Sequence, residues 1–212
     1  RPHSEVIEIS FTGVDYGYDA GVGHYFGRSL TLNQIRNLEV LLVYDMNGQP
    51  LLPQHGAPLR IIVPGWYGMA SVKWLKKVEA LTEPFLGFQQ TQTYRFRQSA
   101  DDDGQPVTSM RVKSLMVPPG VPDWISRNRC IEPGKITVNG RAWSGAGKKI
   151  TKVEFASNGN WEPAEILDQV GKFAWTGWRY QWDAKPGKHV LQCRASDESG
   201  ETQPITPPWD LA

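Results

Sequence analysis

Three short stretches of this 212-residue sequence carry side chains suited to holding a polar, anionic ligand. The first is His55-Gly56-Ala57-Pro58-Leu59-Arg60, in which Gly and Pro set a turn that hands the chain into a strand. An imidazole and a guanidinium stand at its two ends. Both donate to phosphate oxygens or ring heteroatoms, and the guanidinium fork allows bidentate binding. The same two residues also read as solvated loop side chains. The second stretch is PGWYGMASVKWL, residues 64–75. Gly65 and Gly68 permit close backbone approach. Ser71 and the amides around Val72 supply donors and Lys73 a point charge, together a cradle for an anionic tail. A Gly-rich turn before a strand with an exposed lysine is the simpler account of those residues. Walker and Rossmann glycine spacings are absent, which leaves a nucleotide without support. The third is Asp15, in TGVDYG, either a turn former through its own backbone bonds or an acceptor for the N–H edge of a heterocycle.

Other chemistries find no footing. No catalytic triad or carboxylate pair emerges, and His3, His24, His55 and His189 lie in unrelated contexts. Cys130 and Cys193 are the only cysteines; they fit no zinc spacing and read as free thiols.

The elements that must position these groups are mostly strands. EVIEISF (residues 5–11) alternates apolar and polar as a half-buried strand does. Gly13–Arg28, rich in Gly, Tyr and Asp, reads as a long irregular loop. A short helix follows from Ser29, capped by Ser29 or Thr31. VLLVY (40–44) reads as a buried strand with an Asn47-Gly48 turn behind it, and LRIIV (59–63) and residues 72–80 as two further strands. Residues 99–104 make an exposed acidic turn. Val117-Pro-Pro-Gly-Val-Pro-Asp123 is the linker signal. Beyond it, strands at 135–143, 150–156, 164–167, 173–182 and 189–195 are punctuated by Gly, Asn, Asp and Pro, the texture of a β-sandwich. A seven-stranded sandwich needs about 100 residues, so the chain is expected to stop one strand short of a full one.

Composition sets bounds. Nine tryptophans and sixteen prolines favour β-rich, turn-rich cores, and 40% hydrophobic residues allow a sizeable core. A net charge of +1 gives no reason to invoke nucleic acid. No apolar run approaches the roughly 20 residues of a membrane span. Residues 1–9 contain no signal-peptide core.

The order and spacing of VLLVYDMNGQPL, His-Gly-x-Pro-x-Arg, Val-Pro-Gly-x-x-Gly and Val-Lys-Trp-Leu closely resemble the sulfite oxidase family of molybdopterin-dependent oxidoreductases. GRAWSG (140–145), 150–155 with Asn158-Gly159, the Trp-rich strand, and Gln203-Pro before Pro208-Trp209 resemble that family's C-terminal domain. The resemblance implies an α+β chain. Residues 1–118 would be the C-terminal half of a mixed α/β molybdopterin-binding domain. Residues 119–212 would be an immunoglobulin-like dimerisation domain that possesses all but its last strand. It further implies that Asp15, His55, Arg60 and the Ser71-Val72-Lys73 segment contact molybdopterin, and that Tyr94, twenty-one residues after Lys73, stands beside the molybdenum centre.

By the same resemblance the parent oxidises sulfite, or a related sulfur compound, to sulfate by oxygen-atom transfer. Its electrons pass to an acceptor such as a cytochrome c, or a haem on a separate domain or partner, and it forms a homodimer. The family's bacterial members make a periplasmic or other extracytoplasmic location compatible. Two departures stand out. The family's molybdenum-ligating cysteine lies upstream, and neither Cys130 nor Cys193 aligns with it. The basic residue that animal sulfite oxidases carry after the segment matching Trp209-Asp210-Leu211 is here Ala212. Chain 1–212 is therefore expected to be a fragment, inactive alone. A nitrate-reductase-like enzyme and a non-catalytic dimerisation or assembly module remain the alternatives.

Overall fold

The computed structural model describes residues 3–99, 101–126, 128–145 and 147–206. The chain forms two compact units that divide between Ser109 and Met110. It is mostly β-strand with few helices, so the helical share of an α+β class is small. The expected boundary at Val117–Asp123 lies inside the second unit. There Lys113–Val117 is a paired strand, because Ser114 and Met116 bury one edge of an alternating run. The expected missing last strand, with Trp209, Asp210, Leu211 and Ala212, falls outside the described residues.

In the first unit, β1 (Glu8–Asp19) and β2 (Val22–Thr31) form a long antiparallel hairpin, and β1 pairs on its other side with β5 (Leu75–Leu81). Between these lie α1 (Leu32–Asn37), β3 (Leu41–Val43) and β4 (Arg60–Ile62). The hairpin corrects the expectation of an irregular loop over Gly13–Arg28. Its two-residue turn is Ala20-Gly21, with φ of 48° and 77°, the left-handed geometry that matches strand twist. Of its two central residues only Gly21 is a usual signal for that turn. Thr31 caps α1, its hydroxyl accepting from Gln34 N while the Gln34 side chain accepts from Thr31 N, a capping box. β3 pairs with β4, but Leu41 and Leu42 are exposed rather than buried as their apolar run suggests. Asn47 and Gly48, φ 54° and 73°, close the expected tight turn. The core gathers Phe11, Leu30, Ile61, Val63, Ala70 and Val72.

Among the described residues, the second unit has two larger antiparallel sheets and a short two-stranded pair, Val121–Pro122 with Arg129–Cys130. One larger sheet contains β6 (Lys113–Val117), β7 (Gly134–Trp143), β10 (Glu165–Ile166) and β11 (Thr176–Ala184), in the order β6-β7-β11-β10. The other contains β8 (Ile150–Ser157), β9 (Asn160–Pro163) and β12 (Leu191–Asp197), in the order β9-β8-β12. Val138, Ala142 and Trp178 from the first sheet and Val153, Phe155 and Ala195 from the second share one core. Gly140 lies opposite Trp178, and a Cβ there would collide with the indole. Cys130 is exposed and Cys193 half-buried, both free thiols.

Candidate functional site

The His55–Arg60 turn and the Ser71–Lys73 segment fold against each other, because each supplies what the other's backbone lacks. Pro53–His55 is a single 3₁₀ turn ended by Gly56, whose φ of 105° suits only glycine. Lys73 Nζ donates to Gln54 O at 3.0 Å and Trp74 Nε1 donates to Pro53 O at 2.7 Å, tying that turn down. The Arg60 guanidinium spans two carbonyls, with Nη1 donating to His55 O at 2.9 Å and Nη2 to Ser71 O at 3.1 Å. Burial pushes the Arg60 pKa down. The Ser71 hydroxyl accepts from Val63 N at 3.1 Å, and Val72, 1% exposed, accepts on its carbonyl from Ile61 N at 3.0 Å. Val72 is thus the buried pin of the segment, and Ser71 and Lys73 flank it at half-buried positions.

Asp15 reaches the same place from β1. The register of β1 shifts between Thr12 and Tyr16, a bulge that re-aims the side chains between them. Val14 N donates to Trp74 O at 3.0 Å. A Cβ on Gly13 would lie 2.8 Å from Lys73 O and closer still to the Asp15 carboxylate. Two acceptors therefore crowd one glycine. Asp15 Oδ1 is buried and has no hydrogen-bond partner among the described residues, and an unsatisfied buried acceptor costs about 1–3 kcal/mol. The structure so brings together Asp15, Arg60, Ser71, Val72 and Lys73, with the backbone of exposed His55 at the edge.

Tyr94 belongs to a different neighbourhood of the same unit. It ends a π-type turn over Gln89–Thr93, its N donating to Gln89 O at 2.9 Å, and its O accepts from Val107 N at 3.0 Å. Among the described residues, no hydrogen bond joins its side chain to the Lys73 group. The residue beside it that sequence reasoning missed is Arg28, on β2 and 3% exposed. Burial pushes the Arg28 pKa down, and the nearby Tyr94 phenol acts in the opposite direction. Phe26-x-Arg28-x-Leu30 was the available signal, a cation at an inward position of a period-two pattern, hidden once the segment is read as loop. His24 lies against Gln89, their side chains in contact, and stacks on Phe88 at 4.5 Å.

The described residues hold no cluster of three or more His, Cys, Asp or Glu able to bind a metal ion, and no helix long and apolar enough to cross a membrane. The group at Lys73 instead has the chemistry of an organic anion site. An unpartnered acceptor, two adjoining cationic side chains and close backbone suit a heterocycle with an N–H edge and an anionic tail.

Residues 1–89 match the oxidoreductase molybdopterin binding domain, and residues 105–212 the Mo-co oxidoreductase dimerisation domain. The chain is 31% identical to the mitochondrial sulfite oxidase of Macaca fascicularis, over 96% of its own length and 39% of that protein's. It is also 31% identical to a nitrate reductase [NADH] of Ulva prolifera, over 96% of the chain and 26% of the relative. The crystal structure of the sulfane dehydrogenase SoxCD from Paracoccus pantotrophus superposes with a TM-score of 0.78 at 29% identity, over 95% of this chain and 49% of that one. The chain thus spans well under two thirds of each of these proteins.

Proposed function

The chain belongs to the sulfite oxidase family of molybdopterin oxidoreductases, and we propose that the whole protein oxidises sulfite, or a related sulfur compound, to sulfate by oxygen-atom transfer. The observation that supports the cofactor half of this reading is the buried Asp15 Oδ1, without a hydrogen-bond partner among the described residues, which flanks Gly13 together with the Lys73 carbonyl. Asp15 would accept from N–H groups of the pterin, and His55, Arg60, the Ser71 and Val72 backbone and Lys73 would hold its anionic part. When bound, the molybdenum cofactor supplies the transferable oxygen and takes up two electrons.

The remaining steps belong to the protein. Oxidation of sulfite consumes one water and releases two protons along with the two electrons. Tyr94 is the group that moves a proton in this reading. Its phenol both donates and accepts, so it can hold substrate oxygen or water and pass a proton on. A cytochrome c or a haem on another domain takes the electrons.

The second unit, with four- and three-stranded antiparallel sheets over one core, fits an immunoglobulin-like sandwich that pairs two copies of the protein. The likeness to sulfane dehydrogenase favours a sulfur compound other than sulfite as the second substrate reading.

The deciding experiment uses the protein extended upstream to its natural start, expressed in a host that makes molybdopterin. About one molybdenum per chain is expected, with sulfite turnover that falls at least tenfold in Tyr94→Phe, within the roughly 10²–10⁴ range of general acid–base contributions or just below it. Absence of molybdenum would leave an assembly module. Molybdenum with nitrate reduction and no sulfur chemistry would place the protein with the nitrate reductases.

A further inference from the structure

We propose that Arg28 is a positioning residue for Tyr94, its guanidinium clamping the turn that carries the phenol. This rests on the reading of Tyr94 as the proton-moving group.

The clamp is explicit. Arg28 Nη1 donates to Gln89 O at 3.4 Å and Nη2 donates to Val107 O at 3.1 Å. Gln89 O is also the acceptor for Tyr94 N at 2.9 Å, and Val107 is the residue whose N donates to Tyr94 O at 3.0 Å. One side chain thus grips both residues that hydrogen-bond the Tyr94 main chain. Its neighbour on β2 adds a second tie to the same turn. Ser29 N donates to Gln90 Oε1 at 3.0 Å, Gln90 Nε2 donates to Ser29 Oγ at 2.8 Å, and Ser29 Oγ donates to Glu8 Oε2 at 2.7 Å. The turn is therefore fixed to β2, at the edge of the three-stranded sheet, where Arg28 pairs with Phe11 and Ser29 with Ser10 on the central strand.

Packing alone does not account for this residue. A buried cation loses several kcal/mol of hydration, and among the described residues no carboxylate forms an ion pair with Arg28. An apolar side chain would fill the space at lower cost. Arg28 Nε and Gln89 Oε1 are both buried without a partner among the described residues, so the local polar groups are incompletely satisfied there. What the guanidinium supplies, and an apolar or single-headed side chain does not, is a planar fork spanning two carbonyls.

The test uses the full-length, molybdenum-loaded protein labelled with 3-fluorotyrosine, with the Tyr94 resonance identified by its loss in Tyr94→Phe. In Arg28→Lys, which keeps the charge but not the fork, and Arg28→Gln, which keeps neither, the Tyr94 fluorine resonance is expected to shift while the others hold. Molybdenum content should match wild type, and kcat should fall about tenfold with KM unchanged, as a small misplacement of a reacting group does. In a Tyr94→Phe background the same Arg28 changes should cost less than about twofold, because residues acting as a unit are non-additive. An unmoved resonance, or the full loss in that background, overturns the proposal. If Tyr94→Phe leaves turnover intact, the catalytic reading of Tyr94 fails, while the resonance still decides whether Arg28 sets its position. Should the Arg28 variants fail to fold, the Arg28 Nε–H resonance is compared between wild type and Tyr94→Phe. A shift supports the contact and an unchanged signal overturns it.

Discussion

Lys73 packs across Gly56 so closely that a Cβ on Gly56 would lie 2.9 Å from Lys73 Cβ, and 3.2 Å from Arg60 Cβ. With Gly56 at φ 105° the turn and the Lys73 segment interlock through a missing side chain. Gly56→Ala should therefore carry both backbone strain and overpacking. We expect a loss of about 2–4 kcal/mol in chemical denaturation, and a fall in molybdenum content of the full-length protein measured by plasma mass spectrometry. Retention of both would show that the turn relaxes without disturbing Lys73.

Arg60 joins the same two segments by its fork across His55 O and Ser71 O. A lysine keeps the charge and reaches one carbonyl at best. Arg60→Lys is expected to lower stability by about 1–2 kcal/mol and to lose cofactor nearly as fully as Arg60→Ala. Equal cofactor content in Arg60→Lys and wild type would show that charge alone suffices there.

Asp197, 2% exposed, ends β12 and gathers the turns around it. It accepts from Ser199 N at 2.9 Å, Ser199 Oγ at 2.6 Å and Ser144 Oγ at 2.9 Å. Burial works to raise its pKa, but the hydrogen bonds from Ser199 and Ser144, with the charge of Lys148, outweigh it and hold the carboxyl below its usual range. Its stabilisation is thus present above the unfolded-state pKa of about 4 and is lost as pH falls through the lower folded value. Asp197→Ala should cost about 3 kcal/mol at pH 7, and thermal melts of variant and wild type should converge in strong acid.

Tyr180 on β11 donates to Glu162 on β9 at 2.5 Å and stacks on Phe155 at 4.6 Å, bridging the two sheets. The hydrogen bond to Glu162, then burial and the carboxylate charge, push its pKa up to about 12. The bridge contributes fully below the unfolded phenol's pKa of about 10, and is lost as pH rises through about 12. Wild type should lose more stability than Tyr180→Phe between those values in denaturant titrations. Parallel losses would mean that the bridge carries no net energy.

Local patterns were legible wherever chemistry and period coincide. The Thr31 cap, the Asn47-Gly48 turn and most strands of the second unit follow from neighbouring residues, because capping, left-handed φ and alternation act over a few positions. The hairpin over Gly13–Arg28 was not legible. Glycines and exposed tyrosines mask its alternation, and Ala20 adopts φ 48° at a turn position where Asn, Asp or Gly is the usual signal. Lys113–Val117 was missed for a related reason: it abuts a proline-rich stretch, and its strand character comes from pairing with Gly134–Trp143, partners 22 to 30 residues on.

The order of motifs along the chain determined the family and proposed which side chains would meet a cofactor, since such motifs record the needs of a ligand and survive one-dimensional reading. What tertiary structure decided was the company those side chains keep. Arg60 and Lys73 became staples for each other's backbone, Asp15 came to the same place through a bulge on a distant strand, and Tyr94 was tied to Arg28, sixty-six positions earlier. Hydrogen bonds and charge act through space over a few ångströms, while sequence separation says nothing of distance once strands pair.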